Sequence, residues 1–250
     1  MNKFLGIIPA RFSSTRFPGK PLADIKGKPM IQLVYEQASK ALDEVVVATD
    51  DTRISDAVLA FQGKVVMTSA AHPSGTDRCY EALLNYQKQT GRQFDIVINV
   101  QGDEPFIQPR QIEQIKSCFE EEGTDIATLI KKIENNEVVF DPNKVKVVIN
   151  KNREALYFSR SPIPYLRQHD HSSWFAMHSF FMHIGMYAYR SKILSEITQL
   201  NASKLEQAES LEQLRWLENG FRIKTAETLY ESHGIDTPED LQKALSMGVL

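Results

Sequence analysis

Three cations in one short loop are the residues of this 250-residue chain best suited to chemistry. Arg11, Arg16 and Lys20 lie within ten residues, among hydroxyl side chains, prolines and a glycine that stiffen the loop. An arginine guanidinium pairs with phosphate oxygens as a planar fork and a lysine ammonium acts as a point charge, so the loop suits a triphosphate. Neither common glycine-rich phosphate motif, G-x-G-x-x-G or G-x-x-x-x-G-K-S/T, is present there. A solvated basic loop has the same composition, so the residues alone leave both interpretations open.

A second candidate follows an apolar run, residues 95–100, that predicts a strand buried on both faces. Gln101, Gly102 and Asp103 come directly after it. A carboxylate beside phosphates suits Mg²⁺, which takes one or two carboxylates and completes its shell with phosphate oxygens and water. The same residues are also typical of a turn. Because ligands of open α/β sheets bind beyond the carboxyl ends of the strands, we expect Asp103 to lie near the basic loop.

Two helix starts carry further candidates. Ser74 and Gly75 open a helix pattern whose free N–H groups attract anions or base oxygens, although simple capping explains Ser74 equally well. Near the C-terminus, Thr237 and Asp240 predict a helix N-cap with its third-position support. That role leaves the neighbouring Asp236 unexplained.

The third group of candidates comes from the second half of the chain. Arg160 follows a strand pattern and precedes a proline-stiffened loop, a position that suits a carboxylate clamp. In the strand pattern after residue 182, His183, Gly185 and Tyr187 share one face, and the glycine leaves a gap that a sugar ring could fill. Ordinary half-buried packing would give the same pattern.

Two acidic residues also suggest a ligand. Glu209 and Glu212 are three residues apart in a predicted helix over 205–217, where like charges on one face slightly destabilise the helix. A bound ligand would relieve the repulsion between the two carboxylates, and exposure of both groups to solvent would relieve it equally. His169 and His171 lack a cysteine or a third histidine at ligand spacing, so we do not predict a transition-metal site.

The order of elements predicts the fold. Strand and helix patterns alternate through residue 123, which is typical of βαβ units and a parallel sheet with right-handed crossovers. After about residue 124 strand patterns follow one another, and 161–181 reads as a loop or lid. We therefore expect an α/β fold in a single domain, 1–250, with a Rossmann-like mixed, mostly parallel sheet flanked by helices and a small antiparallel insertion.

Composition excludes several classes of protein. Hydrophobic residues make up 42% and charged residues 24%, as in ordinary globular proteins, and a net charge of −3 lacks the basic excess of nucleic-acid binders. No apolar run approaches the ~20 residues that span a bilayer, and a strand pattern begins too early for a signal peptide. Cys79 and Cys118 lie in helix patterns and predict buried thiols in a reducing compartment. We therefore expect a cytoplasmic protein without nucleic-acid or membrane partners.

The loop sequence also carries a family resemblance. Ile8-Pro9-Ala10-Arg11, followed by Ser14-Thr15-Arg16 and Pro18-Gly19-Lys20, resembles the opening of the sugar-acid cytidylyltransferases, and further matches continue to about Leu241. This resemblance implies the nucleotide-diphospho-sugar transferase type of fold and CTP-dependent transfer of CMP to a sugar acid with release of pyrophosphate. The implied acid is 3-deoxy-D-manno-octulosonate (KDO), with 8-amino-KDO or sialic acid as alternatives. It further implies a cytoplasmic homodimer that serves lipopolysaccharide biosynthesis.

The resemblance also implies roles for individual residues. The catalytic residues it implies are Arg11, Lys20, Asp103 and Asp236. The nucleotide-binding residues are Ala10, Arg11, Lys20, Ser74, Gly75, Arg78, Gln101 and Asp103. The sugar-binding residues are Arg16, Arg160, His183, Tyr187, Glu209 and Glu212. Mg²⁺ would be held by Asp103 and Asp236, although the approach Glu231-Ser232-His233-Gly234 departs from the glycine-rich family pattern. Residues 1–123 would bind CTP, 124–225 would bind the sugar and form the dimer, and 226–250 would return to the metal site.

The residues alone leave two other functional classes open. A nicotinamide dehydrogenase could use a doubly wound fold, although the missing G-x-G-x-x-G argues against it. A non-catalytic nucleotide-binding module would carry a similar loop, and release of pyrophosphate would exclude it.

Overall fold

The structure is a computed structural model that describes residues 2–13, 16–231 and 234–246. In those ranges the chain forms eleven strands and ten α-helices. The strands are β1 (Phe4–Ala10), β2 (Asp24–Ile25), β3 (Lys28–Pro29), β4 (Val45–Thr49), β5 (Val65–Met67), β6 (Ile96–Asn99), β7 (Ile126–Lys132), β8 (Lys146–Ile149), β9 (Ala155–Ser159), β10 (Phe181–Arg190) and β11 (Ile223–Glu227). The helices are α1 (Met30–Ala38), α2 (Thr52–Ala60), α3 (Gly75–Thr90), α4 (Pro109–Ser117), α5 (Asn136–Phe140), α6 (Trp174–Met177), α7 (Ser191–Ile197), α8 (Lys204–Glu209), α9 (Gln213–Glu218) and α10 (Pro238–Ser246).

The fold class predicted from the sequence is confirmed. The main sheet is mixed and mostly parallel, helices flank it, and β2 and β3 form a small antiparallel sheet. The chain divides into two compact units. The first unit comprises Met1–Glu113, Ala188–Thr198 and Ser232–Leu250, and the second comprises Gln114–Tyr187 and Gln199–Glu231.

In the first unit, β1 lies between two parallel neighbours. It pairs with β4 on one side and with β6 on the other, and β4 pairs with β5. Leu5, Ile7 and Ile8 of β1 have no exposed surface, because helices cover both faces of such a sheet and its strands read as continuous apolar runs. Strands β1 and β6 run in the same direction, so the loops after Ala10 and Asn99 leave the sheet at the same edge.

In the second unit, parallel and antiparallel pairs occur together. β7 pairs with β11 in parallel, so that Thr128 lies opposite Thr225. β8 pairs with both β9 and β10 in antiparallel fashion. This is the antiparallel insertion that successive strand patterns after residue 124 predicted.

The helix predicted over 205–217 is wrong. The chain forms α8 and α9 instead, and Ser210 between them has a left-handed backbone with φ 52°. Glu209 ends α8 and Glu212 precedes the first residue of α9, so these two carboxylates do not share a helix face. The pair at three-residue spacing therefore gives no argument for a ligand.

Smaller differences concern short elements and helix ends. Helix α2 ends at Ala60, and Gln62 after it takes the left-handed conformation with φ 62°. Helices α5 and α6 and the hairpin β2–β3 were not predicted. None of the helices in the described ranges is long and apolar enough to cross a membrane.

Candidate active site

A pocket of about 360 Å³ lies at the carboxyl edge of β1 and β6 in the first unit. Both predicted loops contribute to its wall, as expected from the parallel pairing of the two strands. Its lining residues are Pro9, Ala10, Arg11, Ser13, Arg16, Lys20, Pro21, Gln101, Gly102 and Asp103. Five of these ten residues were predicted to bind a nucleotide, so the pocket brings together predicted residues that are far apart in the sequence.

The two loops approach each other closely because one residue lacks a side chain. A Cβ atom built on Gly102 would lie 2.6 Å from the backbone oxygen of Pro9, closer than carbon and oxygen atoms pack. Glycine at this position therefore allows the two loops to pack together. The missing side chain at Gly102 thus serves close approach to the backbone of the other loop.

Two carboxylates meet at the ammonium group of Lys20. Its Nζ lies 2.7 Å from Oδ2 of Asp103 and 3.2 Å from Oδ1 of Asp236. Arg16 Nη2 lies 3.2 Å from the same Oδ1 of Asp236. The carboxylate oxygens are thus close enough to share one cation, as the sequence analysis predicted. The backbone reinforces the junction, because the N–H of Ile235 donates to the carbonyl oxygen of Asp103 at 2.9 Å.

A helix cap holds the backbone of Asp236. Oδ2 of Asp240 accepts from the N–H groups of Asp236 and Thr237 at 3.1 and 2.9 Å, and the N–H of Asp240 donates to Thr237 Oγ1 at 3.2 Å. This reciprocal cap is the helix start that the sequence predicted. Because Asp240 supplies the cap, the side chain of Asp236 is left to face Lys20. Residues Ser232 and His233 of the approach to this segment lie outside the described residues.

The guanidinium of Arg11 is held by the segment before α3. Its Nη2 donates to the carbonyl oxygens of His72 and Ser74 at 2.6 and 3.3 Å. Ser74 caps α3, since its Oγ accepts from the N–H of Asp77 at 3.1 Å and donates to the Asp77 carboxylate. The capping interpretation of Ser74 is therefore confirmed. Glu81 of α3 contacts His72 Nε2, so this helix also holds the segment that precedes it.

Arg78 lies beneath the same helix start and has no exposed surface. Its Nη1 donates to Thr68 Oγ1 at 2.6 Å and lies 3.3 Å from Oδ1 of Asp50. Burial lowers the pKa of the guanidinium, whereas Asp50 opposes this shift. Within the described ranges, the buried Nε and Nη2 of Arg78 have no hydrogen-bond partner. Buried donors are normally paired, so these two are suited to an acceptor on a ligand.

The donor set around Lys20 fits a hard divalent cation. Asp103 and Asp236 offer carboxylate oxygens, and their side chains are 32% and 44% exposed, so a ligand can reach them. Mg²⁺ prefers such a pair, together with phosphate oxygens and water, to a cage made wholly of protein ligands. In the described part of the chain no group of three or more His, Cys, Asp or Glu side chains is arranged to hold a metal ion.

In the second unit, Arg160 and Glu209 are joined by hydrogen bonds in both directions. The Glu209 carboxylate binds residues 159 and 160, and the Arg160 guanidinium binds the backbone at Glu209. Oε1 of Glu209 accepts from Ser159 Oγ at 2.6 Å, and Oε2 accepts from the N–H of Arg160 at 2.9 Å. Arg160 donates from Nε to the carbonyl oxygen of Glu209 at 2.7 Å and from Nη1 to that of Pro142 at 3.1 Å. Part of the guanidinium fork is thus engaged by backbone oxygens, and its remaining N–H groups can meet a carboxylate.

His183 and Tyr187 lie on one face of β10, as their alternation predicted. Their ring centroids are 5.2 Å apart, and His183 Nε2 lies 2.9 Å from Oγ1 of Thr128. Burial lowers the pKa of His183 to about 3. Burial also raises the pKa of Tyr187 well above its usual value, with Glu212 adding to the shift and Thr128 opposing it. Both side chains are therefore neutral near pH 7.

Gly185 lies between these two rings in the sequence and leaves space beside them. A Cβ atom added to it would have no other atom within 4 Å. Open space is therefore present at Gly185, whereas the rings of His183 and Tyr187 contact each other, with their centroids 5.2 Å apart.

Comparison with known proteins decides the family. A family model described as "Cytidylyltransferase" matches residues 5–225. The chain belongs to the cytidylyltransferase family. A 3-deoxy-manno-octulosonate cytidylyltransferase from Parabacteroides distasonis is 61% identical over 250 residues, which cover 98% of each chain. One from Cytophaga hutchinsonii is 61% identical over 240 residues, covering 95% of this chain and 94% of that protein.

Solved structures agree with this assignment. A structure of CMP:2-keto-3-deoxy-manno-octonic acid synthetase complexed with CTP is 45% identical to this cytidylyltransferase, with a TM-score of 0.90 and 98% of each chain covered. A 4-diphosphocytidyl-2C-methyl-D-erythritol synthase from Anaerococcus prevotii has a TM-score of 0.61 at 14% identity, a likeness of fold alone. The family resemblance seen in the sequence is thereby confirmed, and the dehydrogenase alternative is not supported.

The sequence analysis missed three polar residues of this cytidylyltransferase whose contacts or charges reach the predicted site residues or the segments that hold them. Glu81 contacts His72, and Thr128 contacts His183. Lys146 of β8 has no exposed surface and donates to the carbonyl oxygens of Asp141 and Lys144 at 2.7 and 2.6 Å. Burial lowers the pKa of Lys146, whereas Asp141 opposes the shift. A polar residue within an apolar strand pattern, as at Lys146 and Thr128, is the signal that could have found them.

Proposed function

We propose that the chain transfers CMP from CTP to the anomeric hydroxyl of KDO and releases pyrophosphate. The observation that carries this proposal is the meeting of Asp103 and Asp236 at Lys20, on the wall of a basic pocket. The relatives named above support the choice of sugar acid, since both are 3-deoxy-manno-octulosonate cytidylyltransferases. The related structure complexed with CTP supports the choice of nucleotide.

The proposed reaction depends on positioning and on charge. The sugar hydroxyl attacks the α-phosphorus of CTP in line and pyrophosphate leaves, a step that needs little covalent help from a protein. Arg11 and Lys20 bind the triphosphate and stabilise the negative charge on the leaving pyrophosphate. For this, the Lys20 ammonium exchanges its carboxylate partners for phosphate oxygens.

Asp103 and Asp236 would hold Mg²⁺, which when bound neutralises phosphate charge and lowers the pKa of a hydroxyl beside it. The remaining proposed nucleotide ligands come from the pocket wall and from the start of α3. They are Ala10, Gln101, Ser74, Gly75 and Arg78. Of these, Arg78 has the unpaired buried donors that suit an acceptor on the cytosine ring.

The proposed sugar ligands divide by charge. Arg16 and Arg160 are cations that suit the sugar carboxylate. His183 and Tyr187 are neutral and suit hydroxyl groups, and Glu209 and Glu212 complete the set. In this proposal, residues 1–123 bind CTP, 124–225 bind the sugar, and 226–250 bring Asp236 to the metal, all as parts of one functional domain, 1–250.

We extend the proposal to the setting of the enzyme. Its product feeds lipopolysaccharide biosynthesis in the cytoplasm, and the chain forms a homodimer through the second unit. The exposed Phe175 and Met177 of α6 are candidates for that contact, whereas Trp174 of the same helix is buried against Phe180 within the unit. Sedimentation of the purified protein tests the dimer, and a mass of one chain would contradict it.

One assay tests the function itself. Pyrophosphate release is measured with each of the four nucleoside triphosphates, combined with KDO, 8-amino-KDO or sialic acid, in the presence of Mg²⁺. We expect release with CTP and KDO. Turnover of another acid in preference to KDO would move the assignment to that acid, and no release with any pair would leave a nucleotide-binding module.

A further inference from the structure

A buried hydroxyl lies behind the proposed sugar site. Thr128 is in β7 and has no exposed surface. Its Oγ1 lies 2.8 Å from the carbonyl oxygen of Met186, 3.3 Å from that of Ile184 and 2.9 Å from Nε2 of His183. One side chain thus contacts the backbone of β10 and an imidazole that β10 carries.

Counting hydrogens assigns the direction of each bond. A threonine hydroxyl has one hydrogen to donate, and a carbonyl oxygen has none. Two oxygens 2.8 Å apart need a hydrogen between them, so Thr128 donates to a carbonyl oxygen, nearest at Met186. Oγ1 is then an acceptor towards His183, and the hydrogen in that bond must belong to Nε2 of the imidazole.

The tautomer of His183 follows from this count. A neutral imidazole carries one hydrogen, and here it is on Nε2, so Nδ1 keeps its lone pair and is an acceptor. The ring is also held in place, because Phe158 packs edge-on against it with centroids 5.2 Å apart. His183 as a whole residue is only partly buried, so it keeps some exposed surface.

We propose that Thr128 is a positioning residue of the sugar site, which fixes His183 in the Nε2–H form so that Nδ1 accepts a hydrogen bond from a sugar hydroxyl. This inference rests on the proposed function, and it names the group that His183 recognises. A lone pair attracts the hydrogen of a hydroxyl and repels a carboxylate. The acid group of the sugar is therefore bound by cations elsewhere, and His183 reads a hydroxyl.

Three variants isolate the Thr128 hydroxyl. Thr128→Val keeps the shape of the side chain and removes the hydroxyl, and Thr128→Ser keeps the hydroxyl. Thr225→Val is the matched control, because Thr225 lies opposite Thr128 in β11, is equally buried, and donates its hydroxyl to the carbonyl oxygen of Arg153 at 2.9 Å.

The first measurement is the tautomer of His183 in the free protein. Nitrogen-15 NMR of the histidine-labelled protein distinguishes a protonated from an unprotonated ring nitrogen, and His183→Gln identifies the resonances among the six histidines. We expect Nε2–H in the wild type, in Thr128→Ser and in Thr225→Val, and a mixture of tautomers in Thr128→Val. Finding Nδ1–H in the wild type would overturn the inference without any variant.

The second measurement is steady-state kinetics with pyrophosphate release. We expect Thr128→Val to raise the KM for KDO about tenfold while the KM for CTP stays within about twofold, because one hydrogen bond is worth roughly that factor. Thr128→Ser should restore the wild-type KM for KDO. A wild-type enzyme that turns over KDO, together with a Thr128→Val variant of unchanged KM, would overturn the positioning role and leave the proposed function intact. A wild type that does not use KDO would instead overturn the proposed function and the role of Thr128 with it.

Discussion

The ammonium of Lys20 lies 2.7 Å from the carboxylate of Asp103, and it is also the contact through which Asp103 meets Asp236. A lysine between two carboxylates is electrostatically satisfied in the free protein. In the proposed function, a triphosphate would bring negative charge to that lysine, and a divalent cation would bring positive charge to those carboxylates. Binding of the two together would therefore exchange one set of ion pairs for two others.

The two carboxylates are expected to be indispensable for turnover. Asp103→Asn and Asp236→Asn keep the shape of each side chain but remove its charge, so pyrophosphate release should fall on the order of a hundredfold or more. Asp56→Asn, at an exposed position of α2, is the control and should leave the rate unchanged. A wild-type rate in either site variant would remove that residue from the proposed metal site.

Removal of the Lys20 ammonium should have opposite effects on two ligands. In Lys20→Met the carboxylates of Asp103 and Asp236 lose their shared cation, so Mg²⁺ should bind the nucleotide-free protein about tenfold more tightly, while kcat/KM for CTP falls. Calorimetry and the Mg²⁺-dependent rise in Tm measure the first effect.

Lys28→Met gives the comparison, since Lys28 pairs with the single carboxylate of Glu36. That variant should bind Mg²⁺ as the wild type does. Equal affinity of Lys20→Met and wild type for Mg²⁺ would contradict a metal site at Asp103 and Asp236.

Gly102→Ala should disturb both loops of the pocket. The added methyl group would lie 2.6 Å from the backbone oxygen of Pro9, which cannot move aside as a flexible side chain would. We expect a loss of about 1–3 kcal/mol in the free energy of unfolding, together with weaker CTP binding. Gly75→Ala is the stability control, because its methyl group would have no neighbour nearer than 3.8 Å. Equal Tm values for the two variants would show that the loops after β1 and β6 can move apart without loss of stability.

His183 should make stability depend on acid. Its pKa is about 3 in the folded protein, against roughly 6.5 in an unfolded chain. Between these values the unfolded chain binds a proton that the native protein does not, so the free energy of unfolding falls as the pH is lowered from about 6.5 towards 3. Removing the imidazole in His183→Gln should therefore flatten the decline in Tm between pH 7 and pH 5.

His169→Gln controls for loss of a histidine at an exposed position. Its Tm should follow that of the wild type through the same pH range. Parallel curves for His183→Gln and wild type would mean that His183 titrates normally.

The features that could be predicted from the sequence are those determined by local residue patterns and by the direction of the strands. Strands β1 and β6 are continuous apolar runs, and parallel strands carry their following loops to one edge, so the meeting of Lys20 with Asp103 could be expected. The start of α10 was predicted from its capping residues, and the position of Asp236 beside it followed from the family resemblance.

Other features depend on contacts between distant residues, which no local pattern contains. The helical periodicity of 205–217 is continuous in the sequence, yet Ser210 adopts a left-handed backbone there. Tertiary contacts override local propensity at such points, and here Glu209 at the end of α8 binds Ser159 and Arg160 from β9 and the loop after it. Thr128 was missed because its partners His183, Ile184 and Met186 lie in β10, which only the fold brings next to β7.

The order of segments in the first unit has a consequence for biosynthesis. Asp236 belongs to the last of its three segments, and the whole second unit precedes that segment in the chain. A ribosome therefore releases Lys20 and Asp103 long before their second acidic partner emerges. Nascent chains that stop short of Asp236 carry the basic loop without the carboxylate pair, so the proposed metal site should gain its full affinity only after Asp236 has been synthesised.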